Sequence, residues 1–179
     1  EDDRLQRLPL DSEEYNELIS LLSKEKKYLV QVLAHTGMRL SELYKCKIEH
    51  REGIKCFSLR DRNIKLKTKS SYRIIPIHSS LLHDIDSFTL YRSMTTSDNL
   101  AKTVSKLIKK HKFKDAQKKS LYSLRHTFAT DLIKIGADSN ILSELLGHSH
   151  KGNMTLSRYA SGYSVHQLKE VIELSCINQ

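Results

Sequence analysis

Between Gly53 and His78 the hydrophobic period changes, and only there. Ile54, Cys56 and, after Phe57, Leu59 alternate with polar residues; Ile64 and Leu66 alternate with Lys65 and Lys67; Tyr72-Arg73-Ile74-Ile75-Pro76-Ile77 is a third β-rich run. A period of two is that of a half-buried strand. Asp61-Arg62-Asn63 and Lys69-Ser70-Ser71 stand where turns belong. Three short antiparallel strands are predicted, and Pro76 places the last at an edge or an end.

On both sides of this stretch the spacing is helical. Asp11, with Glu14 three residues on, reads as a capping box for a helix through Tyr15, Leu18, Ile19 and Leu22. A run from Tyr28 to Leu33 stops near Gly37, and a further helix begins around Leu40 and carries Leu43. Leu100, Val104, Leu107 and Ile108 follow a 3.6 period, and residues 121–135 form a helix stopped by Gly136. Asp138 or Ser139 caps the next, whose apolar face is Ile141, Leu142, Leu145 and Leu146, stopped by Gly147. A short segment at 153–160 and an amphipathic helix from about Ser164 to Leu174 follow, the latter with Val165, Leu168, Val171, Ile172 and Leu174 near one face. The predicted class is α+β, mostly helical with one small three-stranded antiparallel sheet.

With 179 residues, 39% of them hydrophobic, the chain suits one domain with one core. No window approaches about 18 uninterrupted apolar residues, so a membrane span is excluded. The chain opens Glu1-Asp2-Asp3 with no apolar segment behind it, and a cytoplasmic protein without a signal peptide is expected. Cys46, Cys56 and Cys176 are odd in number and read as reduced thiols. Cys46, His50 and Cys56 offer three ligands at no zinc-finger spacing, so neither a metal nor another cofactor is expected.

Thirty Lys and Arg against twenty-one Asp and Glu leave a net charge of +9. The excess is concentrated. Lys102, Lys106, Lys109, Lys110, Lys112, Lys114, Lys118 and Lys119 lie in one segment opposed only by Asp115, and Lys65, Lys67, Lys69 and Arg73 form a second cluster. Two such clusters suggest a surface that follows phosphates, with Lys65, Lys67, Arg73, Lys106, Lys109 and Lys110 as candidate contacts.

Four separated motifs can be given chemistry. They are Thr36-Gly37-Met38-Arg39-Leu40-Ser41-Glu42-Leu43; Lys67-Thr68-Lys69 with Arg73 beyond; Leu124-Arg125-His126-Thr127; and Leu145-Leu146-Gly147-His148 with Tyr159 beyond. Breaking a phosphodiester without a metal requires cations on the non-bridging oxygens, a nucleophile, and an acid for the leaving oxygen. Arginine suits the clamp because its planar fork matches phosphate and stays charged, which singles out Arg39 and Arg125. Tyr159 can supply a nucleophile, and Tyr163, four residues on, is its rival.

In order and spacing these motifs, from about Arg7 to Ala160, resemble the catalytic domain of the tyrosine recombinases, the phage and genomic-island integrases. The resemblance implies a site-specific recombinase that integrates or excises a mobile element such as a prophage. Tyr159 would attack phosphorus to form a 3′-phosphotyrosine and free a 5′-hydroxyl, with no ATP. His148 would donate a hydrogen bond to the phosphate. A lysine of the basic hairpin would protonate the leaving 5′-oxygen, and Lys69, in Thr-Lys-Ser, is preferred over Lys67. Glu42 would orient Arg39 or His148.

Two features depart from the family pattern. Tyr122 stands where His is usual, three residues before the second arginine; its hydroxyl can donate a hydrogen bond, but with a reference pKa of ~10 it is a poor base. The eleven residues from His148 to Tyr159 exceed the typical spacing. The resemblance further implies double-stranded DNA carrying attachment sites as partner and a homotetramer on DNA formed from monomers. Accessory DNA-bending proteins and a place at the bacterial nucleoid belong to the same expectation. Residues 1–179 would be the catalytic domain of a longer integrase lacking its core-binding and arm-binding domains, and the tail, 164–179, would pack on its own core or dock on a neighbour. A topoisomerase of type IB and a non-catalytic DNA-binding relative are the alternatives.

Overall fold

The structure, a computed structural model, describes residues 7–61, 63–148 and 162–175. Asp11 caps helix α1 (Ser12–Ser20): its side chain accepts from the Glu14 amide while Glu14 reaches back to the Asp11 amide. Helix α2 (Lys24–Thr36) is the central element, with Leu29, Val30, Val32 and Ala34 fully buried. It packs against α1, against α4 (Phe88–Met94) and against α6 (Ser123–Lys134).

Helix α2 ends at Gly37, in the left-handed region at φ 60°. A Cβ there would lie 2.6 Å from Phe128 Cδ1 and 2.8 Å from Leu146 Cδ2, so the position needs glycine for its backbone and for its packing. The short helix α3 (Leu40–Leu43) follows.

The sheet has three antiparallel strands, but not the three that alternation predicts. They are β1 (Lys47–Arg51), β2 (Ile54–Ser58) and β3 (Ile74–Pro76), in the order β1-β2-β3. Arg51 faces Ile54 across a two-residue turn, Glu52 and Gly53, at φ 51° and 80°, the positive values that tight hairpins favour. β1 escapes a hydrophobicity reading because none of its residues is buried. Ile64 to Lys67 form no strand. They belong to a loop closed by Tyr72, whose hydroxyl donates to the Ile64 carbonyl (2.7 Å), while Ile64 and Leu66 pack on the core. Pro76 ends β3 at the sheet edge, as predicted.

A 3-10 segment (Ser79–Ser87) leads to α4, followed by α5 (Ser97–Lys110), which buries Leu100, Val104 and Ile108. Beyond α6 lies α7 (Ser139–Leu146), capped by Asp138 and ended by left-handed Gly147. Ser164 and Gln167 form a capping box for the last described helix, α8 (Val165–Glu173). Its Leu168 and Ile172 are buried on this chain's own core beside β3, each burial contributing about 1.5–3 kcal/mol. Leu174, expected on the same face, is instead 57% exposed. Polar contacts hold α8 as well: Lys169 donates to the Ile77 carbonyl, and Glu173 accepts from the Ser79 amide (2.9 Å) and hydroxyl (2.7 Å). The segment expected at 153–160 lies outside the described residues.

Candidate active site

Two helix C-termini build the site. The last turn of any helix leaves carbonyls without intrahelical partners and carries partial negative charge. The ends of α2 and α7 give theirs to arginines. Arg125, in the first turn of α6, donates through Nη1 to the Gly37 carbonyl (2.6 Å) and through Nη2 to that of Leu146 (2.6 Å). Arg73 donates through Nε to the Leu145 carbonyl (2.7 Å). Both guanidinium groups are buried.

Glu42 is the counter-charge. It accepts from the Arg39 amide (2.8 Å), from Arg39 Nη1 (2.7 Å), and from Arg73 Nη1 (3.2 Å) and Nη2 (3.1 Å). The turn Lys69–Ser71 joins the same network. The Ser71 hydroxyl lies 3.3 Å from Arg39 Nη1, the Ser71 carbonyl accepts from Arg73 Nη1 (3.0 Å), and the Ser70 hydroxyl donates to the Gly147 carbonyl (3.1 Å). Arg39, Arg125 and His148 thus belong to one constellation. His148 Nε2 sits 2.9 Å from Arg125 Nη2; since guanidinium can only donate, Nε2 accepts and the ring proton resides on Nδ1.

The electrostatics follow from three guanidinium groups gathered around one carboxylate. Burial, reinforced by the charges of Arg39 and Arg73, lowers the Arg125 pKa to about 10, which leaves it cationic at neutral pH. Burial alone would raise the Glu42 carboxyl, but hydrogen bonds and charge from Arg73 and Arg39 outweigh it and the net shift is downward. His148 is pushed below the usual histidine range by burial and then by Arg125, Arg39 and Arg73, so it is neutral near pH 7. Two positive charges remain unbalanced among these residues. Arg39, one-fifth exposed, presents part of this charge to solvent beside the neutral ring of His148, and the exposed Lys69 adds a further cation. Such a site attracts an anion with planar or tetrahedral oxygens.

The other sequence-predicted residues divide. Tyr122 precedes α6 by one residue, is exposed, and sets its ring edge-on to His126 at 5.2 Å. Lys65 and Lys67 are exposed on the loop closed by Tyr72. Arg73, expected as a phosphate contact, is instead 3% exposed, and its nitrogens are directed at Glu42, Ser71 and Leu145. Glu42 is hydrogen-bonded to Arg39, while His148 lies against Arg125. Lys106, Lys109 and Lys110 are exposed on α5, outside this network, on a helix that packs against α1 through His111 and Glu17 (3.0 Å). Lys119 leaves the basic surface, because it is buried against Glu14 (2.5 and 2.7 Å). Tyr159 lies outside the described residues. The amide of its rival Tyr163 donates to Glu144 (3.3 Å) in the last turn of α7, while its hydroxyl, its pKa raised by burial and then by Asp138, lies beside Asp138 and Asn140 at the start of that helix.

The phage integrase family model matches residues 9–165, and the chain belongs to this family. The tyrosine recombinase XerA of Pyrococcus furiosus is 30% identical over 92% of this chain and 60% of its own length. XerD of Staphylococcus haemolyticus is 30% identical over 89% of this chain and 60% of its own. The chain therefore spans about 60% of the length of the curated relatives it matches. Among solved structures, the integrase of mycobacterium phage Brujita superposes with a TM-score of 0.61 at 16% identity, covering 96% of this chain and 58% of that one. The Tn1549 transposon integrase in complex with transposon right end DNA gives 0.61 at 20% identity, covering 91% and 64%. At these identities the likeness is one of fold, and the fold is that of the tyrosine recombinase catalytic domain.

Proposed function

We propose that this chain is the catalytic domain of a site-specific tyrosine recombinase that cuts and rejoins double-stranded DNA at the attachment sites of a mobile element. The observation that carries the reading is the gathering of Arg39, Arg125 and His148 at one site with surplus positive charge. Arg39 and Arg125 hold the non-bridging oxygens of the scissile phosphate, and His148 donates to one of them from a ring nitrogen that carries a proton. The Tyr159 hydroxyl gives its proton to solvent water as its oxygen attacks phosphorus, the bond to the 5′-oxygen breaks, and that oxygen leaves as a hydroxyl with a proton from Lys69. The phosphotyrosine conserves the bond, so the reverse attack by a 5′-hydroxyl rejoins the strand without ATP. Lys69 is preferred to Lys67 because its turn is tied to Gly147, the neighbour of His148, through Ser70. Tyr122 serves as a hydrogen-bond donor at the phosphate.

Lys65, Lys67, Lys106, Lys109 and Lys110 serve as phosphate contacts, the condition for which is their exposure. Among the described residues no helix is long and apolar enough to cross a membrane. Assembly is a homotetramer on DNA. Exchange of the tail between protomers would have to replace the burial of Leu168 and Ile172 with an equal burial on a neighbour.

The test is a duplex bearing the junction of the element that encodes the chain, nicked beside the cleavage position so that the cut strand end diffuses away. A covalent protein–DNA adduct that disappears in Tyr159→Phe is expected. DNA binding without an adduct would mean a non-catalytic relative, and relaxation of supercoiled DNA without sequence preference would mean a topoisomerase.

A further inference from the structure

Arg73, with Lys119 and Arg125, is one of three buried Lys or Arg side chains among the described residues. Each guanidinium nitrogen donates to a protein oxygen: Nε to the Leu145 carbonyl, Nη1 to Glu42 Oε1 and the Ser71 carbonyl, Nη2 to Glu42 Oε2. The two Nη atoms meet the two carboxylate oxygens as a fork, which a lysine cannot reproduce. Three segments distant in sequence converge on this one group: α3 through Glu42, the Lys69–Ser71 turn, and the end of α7 just before His148. A Cβ at Gly147 would lie 2.7 Å from Arg73 Nη1, so a bare glycine is what lets the guanidinium pass beneath the helix end.

Charge balance gives this arrangement a consequence. Glu42 faces both Arg39 and Arg73. With Arg73 in place, the carboxylate is shared and Arg39 keeps part of its positive charge uncompensated. Without Arg73, Glu42 and Arg39 become a one-to-one pair whose charges cancel where the phosphate should bind, and the Leu145 carbonyl loses its donor.

We infer that Arg73 is a positioning residue for strand cleavage: it shares Glu42 with Arg39 so that Arg39 stays available to an anion, and it locks the Lys69 turn to the His148 end of α7. This rests on the proposed recombinase reading.

The experiment compares the full chain with Arg73→Gln, Arg73→Lys, Glu42→Gln and the double variant Arg73→Gln/Glu42→Gln. Three readouts are taken: adduct formation at saturating nicked duplex, the slope of log affinity against log salt, and the NMR titration of the His148 ring. Adduct formation is expected to fall about 100-fold in Arg73→Gln, in the range seen when a preorganised donor is lost, and to stay low in Arg73→Lys. The salt slope is expected to be unchanged, because no phosphate contact is removed. The double variant is expected to recover part of the loss, which simple damage to the fold would not allow. His148 should titrate higher in Arg73→Gln, since a neighbouring cation is gone.

A salt slope reduced by about one with adduct formation intact would make Arg73 a DNA contact and overturn the inference. A double variant no better than Arg73→Gln would overturn it too. If the unaltered chain forms no adduct, the recombinase reading has failed instead. The His148 titration still judges Arg73 then, and an unmoved ring would count against it. Should Arg73→Gln not fold, Arg73→Lys carries the same comparison: full adduct formation in it would overturn the fork.

Discussion

Arg125 donates to the carbonyl of Gly37, 88 residues earlier, at 2.6 Å. This single bond brings the second arginine motif to the residue that precedes the first by two positions. With the matching bond to the Leu146 carbonyl, it sets the guanidinium plane before any substrate arrives. Replacing Arg125 by lysine keeps a charge but cannot span both helix ends and His148. Arg125→Lys should lower adduct formation on the nicked duplex by about 100-fold to 1,000-fold, the range for losing an oriented donor. DNA affinity at the same salt should change far less.

Lys69 and Lys67 can be separated by substrate chemistry. A 5′-bridging sulfur leaves without a proton because a thiolate is a stable leaving group. Lys69→Ala should slow cleavage of ordinary DNA by about 100-fold or more, the usual contribution of a general acid, and approach normal rates on the sulfur substrate. Lys67→Ala should reduce affinity and salt slope without that rescue. Rescue of Lys67→Ala alone would exchange the two assignments.

The glycines at positive φ should differ in cost. Gly37→Ala meets both left-handed backbone strain and overlap with Phe128 and Leu146, and should lose about 3 kcal/mol or more in urea unfolding. Gly53→Ala, at φ 80° with nothing within 4 Å of the added carbon, should lose about 1–2 kcal/mol from backbone strain alone.

Acid should weaken the chain through His35. Its ring is buried, stacks on His78 at 4.5 Å, and lies 3.5 Å from the Ser175 hydroxyl beyond α8. Burial, and then the neighbouring His78, depress its pKa from 6.5 to about 4, while Glu173 pulls weakly the other way. The unfolded chain therefore takes up this proton first. Stability present above pH 6.5 declines as pH falls toward about 4, by at most about 3 kcal/mol. Below pH 4.5 Glu173 adds a second loss of the same sign, because its carboxyl is held down to about 2 by Lys169, Ser79 and His78 against the upward push of burial. Urea midpoints at pH 7 and pH 5 check this, and His35→Gln should flatten the difference.

Local chemistry accounts for what could be read in advance. The capping box at Asp11 and Glu14, the stop at Gly37, the Asp138 cap and the Gly147 stop each depend on residues within one helical turn of one another, so a short window of sequence contains the whole cause. The order of the four motifs likewise marked Arg39, Arg125 and His148 before their convergence was visible.

The strand Lys47–Arg51 had no such local signature. Its side chains are mostly polar, and it is a strand because β2 pairs with it. Arg73 is the sharper case. A guanidinium carries the same charge in solvent or in a core, and nothing within a few residues says which. Its fate was set by a carboxylate 31 positions away and a carbonyl 72 positions away, groups that meet only once α3, β3 and α7 have packed. One-dimensional order therefore specified helices, caps and the kinds of residue the chemistry needs. Which cation stays exposed and which is buried among its partners was decided by long-range packing, because burial and partner distance are properties of three-dimensional neighbours.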